Sequence, residues 1–442
     1  MAPPIRPLAA LALALAGCAA SRRAGPPGLV PIEALRLQEE SFEDLEPLRE
    51  ALGSARVVML GEATHGDGGA FLAKARIVRF LMERCGFDVL AFESGIYDMA
   101  RVDRAMSAAV TAADVRAAAA LGLYRCWANA AEMSELLEEV ASGKRRGAKL
   151  KLAGFDPKLT GPKPAGAPLA EAAARTAAEC GMPIDAVGRG RIQQFLDDLD
   201  PNEYYRSPGH RDHHREFVEA VAARIGDAAG RTSDPEEARL VHRALSGALR
   251  LERWLEGIGP DGGSSADDNR DRIMADQLIA LAREQFPDRK IVVWAHNYHV
   301  MVHAYTAQTP QAYEALEKRP KAGPMGRHVR RALGADAVYS IGVLSYSGEY
   351  SEPTGARRPL PTTPDDSIEG ELHQSGHRAA FVNLRGLPSD HPLRRFRPAR
   401  FYFHEPRTTD WSRPFDGILY IDEMTPATPV ATEAAPASAP TK

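Results

Sequence analysis

Two kinds of apolar pattern alternate along the chain. Short, uninterrupted apolar runs stand at 56–60 (RVVML), 88–92 (DVLAF), 150–155 (LKLAGF), 290–295 (KIVVWA), 338–343 (VYSIGV), 379–384 (AAFVNL) and 417–421 (GILYI). Runs this short and this continuous read as strands buried on both faces, as in parallel sheets. Between many of them the apolar residues recur at helical spacing instead. The alternation predicts an α/β fold, with a mostly parallel central sheet flanked by helices.

One interval departs from that rhythm. From 165 to 285 the pattern is helical throughout, as in IQQFLDDL, REFVEAVAARI and EARLVHRALSGALRLERWLEG, and Gly/Pro-rich stretches bound it (GPKPAGAP, GPDGGSSADD). It predicts a helical subdomain inserted between two parts of one sheet, residues 32–164 and 286–422. No solenoid-type repeat is present.

The ends differ from the body. Arg6 precedes the apolar run LAALALALAG, which is too short for a permanent membrane helix and reads as the core of a signal peptide over 1–17. LAGC at 15–18 resembles a bacterial lipobox, so Cys18 is the expected lipid attachment point, followed by a tether to residue 31. The protein is therefore expected to be exported to the bacterial cell envelope and to meet the membrane through its lipid anchor only. Residues 423–442 are rich in Pro, Ala and Thr and predict a disordered tail. Three further cysteines, Cys85, Cys126 and Cys180, are an odd number and imply no disulfide framework.

Composition narrows the function classes. The chain has 442 residues, 44% hydrophobic and 26% charged, with a net charge of −4. That supports a sizeable core and offers no basic surface for nucleic acid.

The candidate chemistry sits where the strands end. Glu62 and His65 follow the first run, Glu93 ends the second, Asp156 the third, and His296 and His299 follow KIVVWA. Ligands of open α/β sheets bind outside the carboxyl ends of the strands, so parallel strands would gather all six side chains at one rim. The glycines of GEATHGDGG are expected to let the backbone turn tightly there. Lys74 shares a helical face with Phe71, Val78, Leu81 and Cys85, and either snorkels outward or points into the site. Asp156, before Pro157, is a substrate-binding candidate or a turn organiser. Arg270, in NRDRIMADQL, either joins surface pairs or faces the cleft. Trp127 and Glu132 read as a packed indole and a capping carboxylate, and HRDHHR at 210–215 as a solvated face.

No G-x-S-x-G elbow and no cysteine nucleophile motif is present, which points to direct attack by water. Imidazole titrates near neutrality, so His65 is the expected general base. Glu62 or Glu93 would orient it, and Lys74 with His296 or His299 would stabilise an oxyanion. The same residue types could form a zinc site of the His₂Glu kind.

GEATHG, then FESG, then WAHNYHV, with RCWANAAE, GFDP, NRDRIMA, YSIGV and FDGILYI in order around them, resemble the erythromycin esterase family over roughly residues 45–422. The resemblance implies an α/β core with a helical portion beside a deep cleft. It implies hydrolysis of a small-molecule ester or lactone, in the best-known members a macrolide ring, at a site without metal or other cofactor. It assigns the family's functional carboxylates and histidines to Glu62, His65, Glu93, His296 and His299. Nine residues after His65, macrolide-inactivating members carry Arg; this chain has Lys74, a point charge in place of a planar fork. Weak or absent erythromycin ring opening is expected.

Overall fold

The computed structural model describes residues 28–33, 35, 41–199, 212–257, 269–303, 309, 311 and 323–430. Cys18 and the lipobox lie outside the described residues, as do the first two residues of the His-rich stretch.

All seven apolar runs form strands. They are β2 (Val57–Leu60), β3 (Phe87–Gly95), β4 (Lys151–Asp156), β5 (Lys290–Trp294), β6 (Val338–Ser351), β8 (Ala379–Asn383) and β11 (Gly417–Met424). Four more were not legible as strands: β1 (Leu29–Pro31), β7 (Arg357–Pro359), β9 (Phe396–Tyr402) and β10 (Glu405–Asp410). The main sheet has the order β1-β8-β11-β6-β2-β5-β3-β4, with β7 on β6, while β9 and β10 form a separate ribbon. From β11 through β4 every neighbouring pair is parallel, and β8 and β1 close one edge antiparallel.

The strands alternate their side chains between two covered faces. Val58, Leu60, Leu90, Phe92, Val292 and Trp294 pack into one apolar cluster, beneath the helix Gly68–Cys85. Val57, Met59, Val89, Ala91, Ile291 and Val293 pack into another, against the helices Arg270–Ala280 and Met325–Leu333. Both faces being buried is why these strands read as continuous apolar runs rather than as alternating ones.

The helices Ala167–Glu179, Ala186–Asp197, Asp212–Ala228 and Pro235–Glu256 bury a third cluster, closed by Ile96 and Tyr97. Three boundaries move. The helix Arg270–Ala280, expected inside the insertion, lays Met274, Ala275 and Leu278 on the sheet and is a layer of the core. β1, expected in the tether, pairs with β8. Residues 425–430, expected in the disordered tail, run back across the loop after β2: Gly69 N–H donates to Thr425 O and Ala427 N–H to Gly66 O.

β2 lies beside β5, yet β2 leads towards β3 on one side and β5 leads to β6 on the other. The loops leaving β2 and β5 therefore part at a topological switch point, the place where open α/β sheets hold ligands.

Candidate active site

Glu62, Glu93, Asp156 and His296 come from four neighbouring parallel strand ends, and the sheet brings them to one rim as the sequence implies. The loop after β2 is tightly seated. A Cβ on Gly66 would overlap the Ser351 carbonyl, and one on Gly61 the Asn297 side chain. Neither glycine has positive φ; in and just before the turn that closes Thr64 onto Asp67, what they supply is room for close approach. Asp67 locks the loop, accepting from Thr64 N–H at 2.9 Å and Thr64 Oγ1 at 2.8 Å.

Glu62 is fully buried and carries three donors. His65 Nδ1 lies 3.1 Å from Oε1, Trp127 Nε1–H donates to the same oxygen at 3.1 Å, and Lys74 Nζ is ion-paired with Oε2. Lys74 is itself fully buried, with its ammonium 4.1 Å from the centre of the Trp294 ring. Its face of the helix points into the site, not outward. Burial pulls the Lys74 ammonium down to about 8, against the pull of Glu62 in the other direction. The His65 side chain remains 26% exposed, and its Nε2 has no hydrogen-bond partner among the described residues. Tyr124, Trp127 and His296 surround the ring edge-on at 5.2–5.7 Å between centroids.

Glu93 holds the second half. Oε1 accepts from Arg270 Nη2 at 2.7 Å and lies 3.1 Å from His299 Nε2, while Oε2 accepts from His296 N–H at 3.0 Å. Arg270 stands on the first turn of its helix, turned towards the strand-end carboxylates, and also donates Nε–H to Asp156 Oδ1 at 3.1 Å and Nη2–H to Oδ2 at 2.5 Å. Asp156 in turn accepts Lys158 N–H at 3.1 Å, so it both binds the guanidinium and organises its turn. The other nitrogen of His299, Nδ1, is 2.8 Å from Asp271 Oδ1.

Burial opposes charge on His299, but Asp271 and Glu93 override it and raise the imidazole to about 9. Each ring nitrogen then donates to one carboxylate. Arg270 Nη1, 3.3 Å from Nε2, is a contact between like charges rather than a second hydrogen bond. Burial would push the Glu93 carboxyl up, yet His299 and Arg270 hold it well below the usual carboxylate range.

His296 is committed differently. Its Nε2 lies 2.7 Å from Ala63 O and its Nδ1 accepts Tyr298 N–H at 3.0 Å, so it is the neutral tautomer bonded twice to backbone. Burial, followed by His65 and His299, pushes its pKa well down. Of the expected oxyanion partners, Lys74 is sealed beneath Glu62 and His296 is spent on the backbone. His299 and Arg270 keep side chains 10% and 16% exposed.

Sequence reasoning missed two members. Trp127 is packed as expected, but its N–H is aimed at Glu62. Asp271 looks like a charge suited to a helix N-terminus, and its position beside Arg270 was the available signal. Glu132 does not cap its own helix: both carboxylate oxygens accept Thr428 N–H, at 2.9 and 3.0 Å. Among the described residues no group of three His, Cys, Asp or Glu side chains converges as a metal would require.

The erythromycin esterase family profile matches residues 82–424. The chain belongs to the erythromycin esterase family. The match opens downstream of Glu62, His65 and Lys74, so their placement rests on the geometry above. YbfO of Bacillus subtilis (strain 168), whose name assigns it provisionally to the hydrolases, is 23% identical over 88% of each chain. The Escherichia coli erythromycin esterase type II is 24% identical over 80% of this chain and 86% of its own. A mutant of the erythromycin esterase EreC in its open conformation superposes with a TM-score of 0.64 at 19% identity, covering 91% of this chain and 97% of that one. At this identity it shares the mixed α/β fold. Family membership and these relatives, named as esterases or hydrolases, support a hydrolase.

Proposed function

We propose that this hydrolase opens a carboxylic ester or lactone by His65-activated water, without an acyl-enzyme. The observation that carries the reading is the Glu62–His65 contact: a buried carboxylate, clamped by Lys74 and Trp127, orients one imidazole nitrogen and leaves the other open to the cleft. His65 Nε2 takes a proton from water, and the hydroxide adds to the carbonyl carbon. The tetrahedral oxyanion faces the cationic pair Arg270 and His299. Collapse breaks the carbon–oxygen bond, and the leaving alkoxide takes the proton back from His65. Glu62 stabilises the imidazolium between the two transfers, as the third member of nucleophile–base–orienter sites does.

No metal or cofactor is part of this reading. Its support is the donor set: Glu62 and Glu93 are neutralised by Lys74 and Arg270, and His296 and His299 have both ring nitrogens bonded. Hydrolysis that survives EDTA agrees with it; activity that dies and returns with one metal ion overturns it. We also propose that Cys18 carries a lipid, which intact-mass analysis of a native membrane fraction would show. Among the described residues no helix is long and apolar enough to cross a membrane.

The deciding test is a panel of lactones and aryl esters on purified protein, with His65→Ala beside it. The variant should lose at least about 10²-fold in kcat; near-wild-type turnover would move the base elsewhere. Erythromycin belongs in the panel, read by mass spectrometry for the hydrated product. Turnover with kcat/KM at or above roughly 10⁴ M⁻¹s⁻¹ would make macrolide inactivation the leading activity.

A further inference from the structure

The ribbon β9–β10 ends in a two-residue turn, Phe403–His404, closed by the pair Tyr402 and Glu405. Both turn residues have positive φ, 49° and 54°. Such turns ordinarily use Asn-Gly, because bulky side chains are strained there. Two bonds hold this one in place. Phe403 N–H donates to Ala63 O at 3.1 Å, and His404 Nε2 lies 2.9 Å from Asp67 Oδ1. The anchors flank His65 in sequence, so the strained tip is fixed over the catalytic loop.

The geometry leaves the Phe403 ring exposed beside His296. It is 50% exposed, a large apolar side chain standing in solvent, while its inner face meets His296 at 4.7 Å and Tyr402 at 4.6 Å. His296 is 5.5 Å from His65. Tyr298 continues the aromatic edge, 5.7 Å from Tyr402. Strain of this kind persists where the surroundings over-determine it, and it concentrates at ligand clamps. A residue that relieved the strain would also remove the ring.

We infer that Phe403, backed by Tyr402 and Tyr298, is an apolar lip that takes the hydrocarbon flank of the substrate, the alkyl or acyl chain on the carbonyl that His65 addresses. The inference rests on the proposed ester or lactone chemistry for its choice of occupant. It makes Phe403 a specificity-determining residue: chain length should be read at the lip, while the polar centre of the substrate is read by the carboxylate–cation pairs below.

The test uses binding rather than turnover, so it stands apart from the hydrolytic reading. Alkyl δ-lactams, in which an amide replaces the ester, are titrated by calorimetry against the full chain, with substituents from methyl to octyl. The wild type should bind the octyl compound at least about tenfold more tightly than the methyl one, as burial of several methylene groups would give. Phe403→Gly and Phe403→Asn both accept positive φ, so they should keep or raise the melting temperature. Both should lose most of the octyl preference. A wild type indifferent to chain length, or variants that keep the preference, overturns the lip. Variants that melt much earlier and keep the preference assign Phe403 a structural role instead. Lactam binding with the expected preference, but no hydrolysis of any ester, would sink the proposed reaction and leave the lip standing.

Discussion

Glu62 and Glu93 are two buried carboxylates at the ends of the strands that flank β5, each bonded to a cation and an imidazole, and the structure uses them in opposite ways. Glu62 holds one nitrogen of His65 and leaves the other open. Glu93 holds one nitrogen of His299, and Asp271 takes the other. The first arrangement lets a ring exchange a proton. The second fixes a charge. A histidine beside a glutamate therefore says little by itself; what decides its use is whether a second acceptor closes the far side of the ring.

The comparison predicts its largest contrast in catalysis. His65→Ala should cost roughly 10²–10⁴-fold in kcat, and Glu62→Gln less, because the amide keeps the shape and loses the charge. His299→Gln should reduce kcat less than His65→Ala does. Equal losses at both histidines, measured on one confirmed substrate, would erase the division of labour.

The next contrast is in stability. Glu93→Gln strips a buried carboxylate from Arg270, His299 and the His296 N–H at once, and should cost about 3–5 kcal/mol in denaturant unfolding. It should also flatten the pH dependence. Glu93 has a depressed pKa, so its contribution is present above its ordinary range and is lost as acid protonates it. His299 has a raised pKa, so its contribution is complete below about 6.5 and is lost as pH rises through about 9. A variant that unfolds with both limbs intact would show that the cluster is a surface pair in effect.

How much of this was legible follows from what each strand buries. The seven core strands were readable because helices cover both faces and force continuous apolar runs. β9 and β10 were not: EPRTTD in β10 has no apolar alternation, since the ribbon lies off the main sheet. The convergence of Glu62, Glu93, Asp156, His296 and His299 was readable from strand ends alone. Roles were less so. Nothing in the spacing shows that Lys74 is sealed beneath Glu62, that His296 is spent on two backbone groups, or that Asp271 locks His299. Those are facts of tertiary contact between segments up to hundreds of residues apart.

Lys74 offers a finer probe of the Glu62 half. Its ammonium is lowered from 10.5 to about 8 by burial. Between those values the unfolded chain binds more protons than the folded one, so stability should rise with pH across that window. Lys74→Arg removes this titration, because guanidinium stays charged. The difference in unfolding free energy, wild type minus variant, should be flat below pH 8 and grow above it by something on the order of 2 kcal/mol. A flat difference to pH 10 would mean that Glu62 fully compensates the buried ammonium.

The smallest effect comes from outside both clusters and bears on the Glu62 half alone. Residues 425–430 bond to Gly66, Gly69, Asn129, Ala131 and the Glu132 carboxylate, and Ser351 Oγ donates to Ala427 O. They thereby tie the His65 loop to the segment that carries Trp127, the two pieces that meet on Glu62. No bond in this set reaches Glu93, Arg270 or His299. Ending the chain at Met424 should leave the sheet and its circular dichroism intact, because β11 is complete there. It should lower kcat roughly tenfold, since small misplacements of a base are costly, and leave the acid and alkaline limbs of stability from Glu93 and His299 unchanged. Loss of those limbs along with activity would mean that the two carboxylates share one scaffold; full activity would mean that the loop after β2 holds His65 without help.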